Sequence, residues 1–188
     1  PEVTADCART SGIRAQITFP IIDFPTPGAS GPDEAINKGL ALFDAMRSIE
    51  RIRIGFGPHA PYTVSDEVFT RIATLSAELD APVQVHLHET QQEVDDAVAN
   101  RGERPIARLH QLGLLTPRTQ CVHMTALNDD DIQLVKSSGA SVIHCPESNL
   151  KLASGFCPTQ RLLDEGINLG LGTDGAASNN DLDLFGEL

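Results

Sequence analysis

Six short segments with the composition of β-strands recur along this chain, and a helix-like stretch follows each of them. The segments cover residues 15–22, 52–57, 82–87, 120–124, 141–144 and 167–172. Strands that alternate with helices in this way predict a parallel sheet with helical crossovers. In such a fold the ligand site forms at the carboxyl ends of the strands, so those positions carry most information about function.

The helix-like stretches have readable boundaries. Thr90 and Glu93 have the spacing of a capping box, which places a helix start at Thr90. Other boundary signals are Ser65, Pro32, Pro105 and Pro158 at helix starts, and Gly139 and Gly166 at helix ends. Residues 180–188 are predicted to begin a further helix.

The charge of the chain excludes several classes of partner. Its 26 acidic residues against 14 basic ones give a net charge of −12. That field repels nucleic-acid phosphates and anionic lipids, so we expect neither nucleic acid nor membrane as a partner. The four cysteines include no Cys-x-x-Cys pair and predict reduced thiols. With no apolar run of roughly 18 to 20 residues, a cytoplasmic soluble protein is expected.

The number of strand-plus-helix units predicts an incomplete barrel. A closed (β/α)8 TIM barrel needs eight units and usually about 250 residues. The 188 residues hold about six units, and their opening resembles neither a signal peptide nor a transit peptide. We therefore expect the chain to be an inner part of a longer α/β protein of this barrel type.

The predicted strand ends carry side chains suited to metal chemistry. In chain order they are His59, His86, His88, Glu89, His123, His144 and Asp174. Imidazole and carboxylate groups are natural zinc ligands, and a catalytic zinc site keeps one position open for water. Attack of water on an aminopurine also requires a proton for the ring nitrogen and another for the departing ammonia. A glutamate and a histidine beside the metal can supply both.

Five ordered motifs make the pattern specific. They are Gly57-Pro58-His59-Ala60-Pro61-Tyr62, Val85-His86-Leu87-His88-Glu89-Thr90, Val122-His123-Met124-Thr125, the run from His144 to Gly155, and Gly172-Thr173-Asp174-Gly175. Together they resemble the metal-dependent amidohydrolase superfamily, and within it the 5-methylthioadenosine/S-adenosylhomocysteine deaminase family. The resemblance implies a zinc-dependent aminohydrolase that converts an adenosine-like nucleoside into its inosine-like product and ammonia.

The resemblance also implies a role for each motif residue. His86 and Asp174 would be ligands of one zinc ion per subunit, and Asp174 would in addition be a catalytic base. Glu89 would bind the purine and carry a proton to its ring nitrogen. His123 would orient or deprotonate the attacking water, and His59 would bind a ribose hydroxyl of the small-molecule substrate.

Parts of the family pattern are absent from these residues. There is no first-strand His-x-His, no early substrate glutamate and no β-sandwich segment, so residues 1–188 are expected to be approximately strands 3 to 8 of a barrel domain. His86 and Asp174 alone would hold zinc weakly, because catalytic zinc normally takes three protein ligands. An open barrel edge would also favour a homo-oligomer.

Several alternatives follow from the same residues. His86-x-His88 could be a paired-histidine metal clamp, and His144 more readily braces the loop 146–155 than touches substrate. The substrate could be guanine, a pterin or a chloro-triazine, in which case His59 would have no sugar to bind. A non-catalytic α/β module is the third reading, and it should carry no stoichiometric zinc.

Overall fold

The computed structural model describes residues 1–188, which form six strands and eight helices. The strands are β1 (Ala15–Ile21), β2 (Ile52–Pro58), β3 (Val83–Leu87), β4 (Thr119–His123), β5 (Ser141–His144) and β6 (Leu169–Leu171). The helices are α1 (Glu2–Ser11), α2 (Pro32–Met46), α3 (Asp66–Leu79), α4 (Gln91–Arg101), α5 (Pro105–Gln111), α6 (Asp129–Ser138), α7 (Pro146–Lys151) and α8 (Thr159–Asp164). Each predicted strand is present within two residues of its predicted bounds.

The chain divides into two compact units, Pro1–Val85 and His86–Leu188. In the first unit the strand order is β1-β2-β3. Strand β1 pairs with β2 in parallel, from Ala15 opposite Ile52 to Ile21 opposite Pro58. Its core is apolar, because alternate strand residues point inwards and successive helices cover them.

The second unit contains the end of β3 and then β4, β5 and β6, in that order. The pairings are again parallel, with Cys121 opposite Val142 and Ile143 opposite Gly170. Parallel pairing brings the carboxyl ends of these strands to the same edge of the sheet. The motifs that follow β3, β4, β5 and β6 are therefore neighbours.

The helix boundaries follow from the capping signals in the sequence. Thr90 accepts a hydrogen bond from the backbone N–H of Glu93 at 3.1 Å, and Gly139 ends α6 in the left-handed conformation at φ 71°. Pro32 and Pro105 occupy first-turn positions. Pro158 lies one residue earlier than predicted, at the N-cap of α8. Each signal sets a boundary because it satisfies or removes an unpaired backbone group.

Two terminal segments differ from the sequence prediction or go beyond it. Helix α1 was not anticipated, and residues 180–188 form turns rather than a helix. The side chain of Asn179 accepts from the backbone N–H groups of Asp181 and Leu182, and Asp183 does the same for Phe185. These local bonds compete with the helical ladder, so the segment folds as successive turns.

The four cysteines are free thiols. Cys7 is exposed on α1, whereas Cys121, Cys145 and Cys157 are buried. Burial raises the pKa of each of these three thiols to about 12. None of the helices combines the length and apolar character that a bilayer-spanning helix needs.

Candidate active site

Two histidine rings meet at the ends of neighbouring strands in the second unit. His86 in β3 and His123 at the end of β4 are stacked, with ring centroids 5.5 Å apart and planes inclined by 21°. His123 is 1% exposed and has φ 78°, a left-handed conformation that non-glycine residues rarely adopt. Backbone conformations of this kind cluster at functional sites, where surrounding contacts enforce them.

Glu89 lies in the loop after β3 and faces the same histidine. Its Oε2 is 3.9 Å from His123 Nε2, and its Oε1 accepts a hydrogen bond from Ser154 Oγ at 3.3 Å. The backbone is fixed on both sides, because Thr125 Oγ1 donates to the Glu89 carbonyl at 2.7 Å and the Glu93 carboxylate accepts from the Glu89 N–H at 2.8 Å. The carboxylate is therefore held beside the imidazole.

Asp174 follows β6, and two serines hold its carboxylate. Ser148 Oγ and Ser178 Oγ both donate to Asp174 Oδ2, each at 2.7 Å. Partial burial by itself raises the pKa of Asp174, but the hydrogen bonds from Ser178, Ser148 and the Gly175 backbone, with the nearby His123, together leave the pKa below its usual value. The side chain is thus kept as an anion, the form that can bind a cation.

Asn149 lies between His123 and one further histidine, His144. Its Oδ1 is 2.9 Å from His123 Nδ1, and its Nδ2 is 3.4 Å from His144 Nδ1. Burial lowers the pKa of His144 and favours its neutral form. His144 lies beside Asn149 of α7, and its bracing of the loop 146–155 stays a prediction. Ser148, Asn149 and Ser154 lie within the motif that runs from His144 to Gly155, which predicts no individual role for them, and Ser178 lies outside the five motifs.

The structure shows that the His86-x-His88 clamp is wrong. His88 is fully buried, its Nε2 accepts from the Ile106 N–H at 3.1 Å, and its Nδ1 bonds the Ala126 carbonyl at 3.0 Å. Its φ of 50° breaks the strand alternation that would put it on the face of His86. Burial lowers the pKa of His88 to about 4. Both ring nitrogens are used by the backbone, so His88 is a packing residue.

His59 belongs to the first compact unit, directly after β2. Its backbone N–H donates to the Ile21 carbonyl, and its Nδ1 is 2.9 Å from Thr63 Oγ1. The Tyr62 ring stands edge-on to the imidazole at 6.1 Å. The loop between Pro58 and Pro61 therefore holds His59 in one orientation, and its contact with a sugar stays a prediction.

The donor types in the second unit fit zinc, but their number is incomplete. His86 offers an imidazole and Asp174 an anionic carboxylate, both favoured by zinc. The described residues contain no group of three or more histidine, cysteine, aspartate or glutamate side chains arranged to hold a metal ion. His86 and Asp174 are thus the two residues here whose side chains could contribute to a zinc site.

Comparison with known proteins identifies the family to which the chain is similar. The amidohydrolase family model matches residues 3–188. The chain is 61% identical over its whole length to a 5-methylthioadenosine/S-adenosylhomocysteine deaminase of Saccharophagus degradans, and 56% identical to a protein of the same name from Teredinibacter turnerae. It spans 42% of the length of each relative.

Solved structures show the same likeness. An adenosine deaminase from Xanthomonas campestris, crystallised with bound zinc, matches 99% of this chain and 42% of its own at 52% identity and a TM-score of 0.96. An atrazine chlorohydrolase from Arthrobacter aurescens matches 98% of this chain and 43% of its own at 24% identity and a TM-score of 0.89, a likeness of fold. The predicted fold class, α/β of the amidohydrolase barrel type, is confirmed. The chain belongs to the amidohydrolase family.

Proposed function

We propose that the protein containing this chain hydrolyses the exocyclic amine of an adenosine-like thioether nucleoside, 5′-methylthioadenosine or S-adenosylhomocysteine. The observation that carries the proposal is the cluster of Glu89, His123 and Asp174 in the second unit, where Glu89 and His123 are 3.9 Å apart. Relatives with that activity in their names match 98% or more of the chain. The geometry supplies proton-transfer groups, and the relatives indicate the substrate.

The reaction consumes one water and releases one ammonia. The water oxygen forms a bond to C6 of the purine while ring nitrogen N1 gains a proton. The C6–N6 bond then breaks, the nitrogen leaves with its electron pair and an added proton, and the oxygen becomes the carbonyl of the inosine-like product. Two positioned proton carriers are needed, one at N1 and one at the departing nitrogen.

The side chains of the cluster have roles that match these needs. Glu89 binds the edge of the purine and delivers a proton to N1. His123 Nε2 orients the attacking water, accepts its proton and passes that proton to the departing nitrogen, which leaves as ammonia. Asp174, held as an anion by Ser148 and Ser178, is a second base on the side of the water. Each role requires a fixed side chain, and each of the three has hydrogen-bonding partners that fix it.

Zinc is part of the proposal, at one ion per subunit. When bound, zinc polarises the attacking water and lowers its pKa towards neutrality. His86 and Asp174 would hold it, together with ligands from outside residues 1–188. The Xanthomonas campestris structure, which contains zinc and is 52% identical to the chain, supports this assignment.

Domain organisation, location and assembly complete the proposal. Residues 1–188 are assigned to approximately strands 3 to 8 of the barrel domain, and the full protein to a cytoplasmic homo-oligomer. Four free cysteines are typical of a reducing compartment and support the location. Sedimentation velocity of the full-length protein tests the assembly, and a monomer at micromolar concentration would contradict it.

The function is tested by ammonia release from the purified full-length protein. We expect 5′-methylthioadenosine and S-adenosylhomocysteine to be deaminated, with about one zinc per subunit by elemental analysis. A preference for guanine or a chloro-triazine over both nucleosides would overturn the substrate assignment. Absence of stoichiometric zinc together with absence of ammonia release would favour a non-catalytic module.

A further inference from the structure

Helix α7 buries polar residues where a helix usually buries apolar ones. Its fully buried side chains are Ser148 and Asn149, at 0% and 2% exposure. Burying a hydroxyl or an amide destabilises the folded state unless its hydrogen bonds to water are replaced. Both side chains have hydrogen bonds to residues of the candidate active site in place of hydrogen bonds to water. These bonds indicate a role beyond packing.

Asn149 controls which ring nitrogen of His123 carries a proton. With Oδ1 facing His123 Nδ1 at 2.9 Å, that nitrogen must donate, since an amide oxygen only accepts. Neutral His123 then has its lone pair on Nε2, the atom 3.9 Å from Glu89 Oε2. In this orientation the Nδ2 of Asn149 faces His144 Nδ1 at 3.4 Å and can donate to it.

Ser148, the preceding residue, acts on the other side of the site. Its hydroxyl donates to Asp174 Oδ2 at 2.7 Å. Asp174 has φ 60°, so its own backbone conformation is an uncommon one that neighbouring contacts must maintain. A single turn of helix therefore contacts both the candidate base and the candidate metal ligand.

Helix α7 is itself anchored at its first turn. Glu187 is 4% exposed, and its Oε2 accepts from the Glu147 N–H at 2.9 Å. Asn179 Nδ2 donates to the other oxygen of Glu187 at 2.8 Å. A carboxylate at a helix N-terminus satisfies an unpaired N–H and interacts favourably with the helix dipole. The two side chains of α7 thus project from a fixed helix.

We infer that Ser148 and Asn149 form a positioning pair, in which Asn149 holds His123 in the tautomer with an unprotonated Nε2 and Ser148 holds the Asp174 carboxylate in place. The inference deepens the proposed function, on which it rests. Asn149 governs the proton-accepting step, and Ser148 governs metal affinity. Neither residue needs to touch the substrate.

The test of Asn149 compares two substitutions in the full-length protein. Asn149→Leu removes the acceptor, and we expect kcat to fall about 100-fold while KM changes less than about 3-fold. Asn149→Asp keeps an oxygen for the Nδ1–H, and we expect kcat within about 10-fold of the parent protein. If Asp fails as badly as Leu, or if Leu leaves kcat unchanged, the positioning role is overturned.

A readout without substrate separates this inference from the proposed function. The imidazole ¹⁵N chemical shifts, assigned by comparison with His123→Gln, should show a protonated Nδ1 and an unprotonated Nε2 in the parent protein. The opposite tautomer would overturn the role of Asn149 whatever the substrate proves to be. This measurement also remains decisive if Asn149→Leu fails to fold.

Ser148 is tested by metal affinity. We expect Ser148→Ala to weaken zinc binding by about 10-fold in competition with a chelator, since removing an outer hydrogen bond to a ligand commonly costs 10- to 100-fold. Ser137→Ala is the matched control, because it makes the same chemical change at an exposed residue of α6 and should leave zinc affinity within about 3-fold. Unchanged affinity in Ser148→Ala would remove Ser148 from the pair.

Discussion

The two compact units of this chain use their interiors differently. In Pro1–Val85, Ser76 is the one buried polar side chain, whereas the other eleven buried polar or charged residues lie in His86–Leu188. The non-glycine residues with positive φ divide in the same way, with Asp80 in the first unit and six in the second. The first unit is built as a packed scaffold, and the second accepts polar burial and unusual backbone conformations.

The difference shows that the second unit buries hydrogen-bonded polar side chains where the first unit buries apolar ones. Every buried side-chain nitrogen and oxygen of the chain has a hydrogen-bond partner. A polar interior in which every group has a hydrogen-bond partner is rigid, because moving one polar group leaves its partner without a hydrogen bond. The second unit can therefore hold reactive groups in fixed positions, as catalysis requires.

The largest expected effect is on the second unit, through Glu89. Glu89→Gln keeps the shape of the side chain but cannot carry a proton, so kcat for the thioether nucleosides should fall by about 10²-fold or more with zinc still bound. The matched control is Glu67→Gln on the exposed start of α3, which should be neutral. Turnover of Glu89→Gln within a few-fold of the parent would assign Glu89 to the loop structure alone.

Asp174→Asn separates metal binding from proton transfer. Because it removes an anionic ligand, zinc affinity should fall by about 10-fold or more in addition to the loss of activity. Chelator competition followed by elemental analysis measures the change. An Asp174→Asn protein that retains the affinity of the parent would remove Asp174 from the metal site.

His59 is an exception to this contrast between the units, because binding of a ribose hydroxyl by His59 would give the first unit a direct role in substrate recognition. A site built to bind a ribose hydroxyl leaves a polar group unpaired when the sugar is absent. The kcat/KM for thioether nucleosides should exceed that for adenine or guanine by about 10²-fold, or roughly 2.7 kcal/mol. In His59→Ala that gap should narrow, mainly through slower reaction of the nucleosides.

One result of the His59→Ala experiment would contradict sugar binding by His59. If His59→Ala slows nucleosides and free bases equally, the residue shapes its loop and does not read the sugar. Thr63→Val is a useful companion, because it removes the hydroxyl 2.9 Å from His59 Nδ1 without removing the imidazole. A similar but smaller narrowing is expected there.

The free energy of unfolding provides a further test of the contrast between the two units. His88→Leu removes the side-chain acceptor of the buried Ile106 N–H and one of the two side-chain donors to the Ala126 carbonyl, which keeps only Arg104, so the free energy of unfolding should fall by about 2 to 4 kcal/mol. Ser76→Ala in the first unit removes a 2.7 Å bond to the Ala81 carbonyl and should cost about 1 kcal/mol. Urea unfolding midpoints compare the two, and an equal loss would contradict the contrast between the units.

The smallest expected effect is the pH dependence that Glu93 adds to the second unit. Burial raises the pKa of Glu93 to about 7, despite backbone bonds from Glu89 and His88 that favour the ionised form. The folded state therefore keeps a proton that the unfolded state releases, starting near the usual pKa of 4.5. The resulting stabilisation is complete below that pH and is lost as the pH rises through 7.

Glu93→Gln tests this pH dependence. The parent protein should lose about 1 kcal/mol more stability between pH 5 and pH 8 than the variant does, after allowance for partial exposure of the carboxyl group. Urea unfolding at the two pH values measures the difference. Glu78→Gln on the exposed surface of α3 is the control, and identical profiles for Glu93→Gln and the parent would exclude the effect.

The sequence predicted the strands and the main polar residues because those signals are local. Residues 141–144 were assigned their observed bounds, and the Thr90 capping bond forms as expected. The contacts of Asn149 and Ser148 were missed because each partner lies 26 residues away along the chain. His88 was placed on the wrong face because strand alternation does not anticipate a left-handed residue at the strand end.

The labelling rate of the buried cysteine at the start of α7 can measure how often that helix opens locally. Cys145 is its N-cap residue, and a thiol with a pKa near 12 reacts negligibly while it stays buried. A thiol reagent can modify it only during local opening, so its labelling rate reports how often the turn carrying Ser148 and Asn149 comes apart. Cys7 is exposed and supplies the reference for a thiol that is always open. The ratio of the two rates would turn the rigidity of the site into a measured free energy.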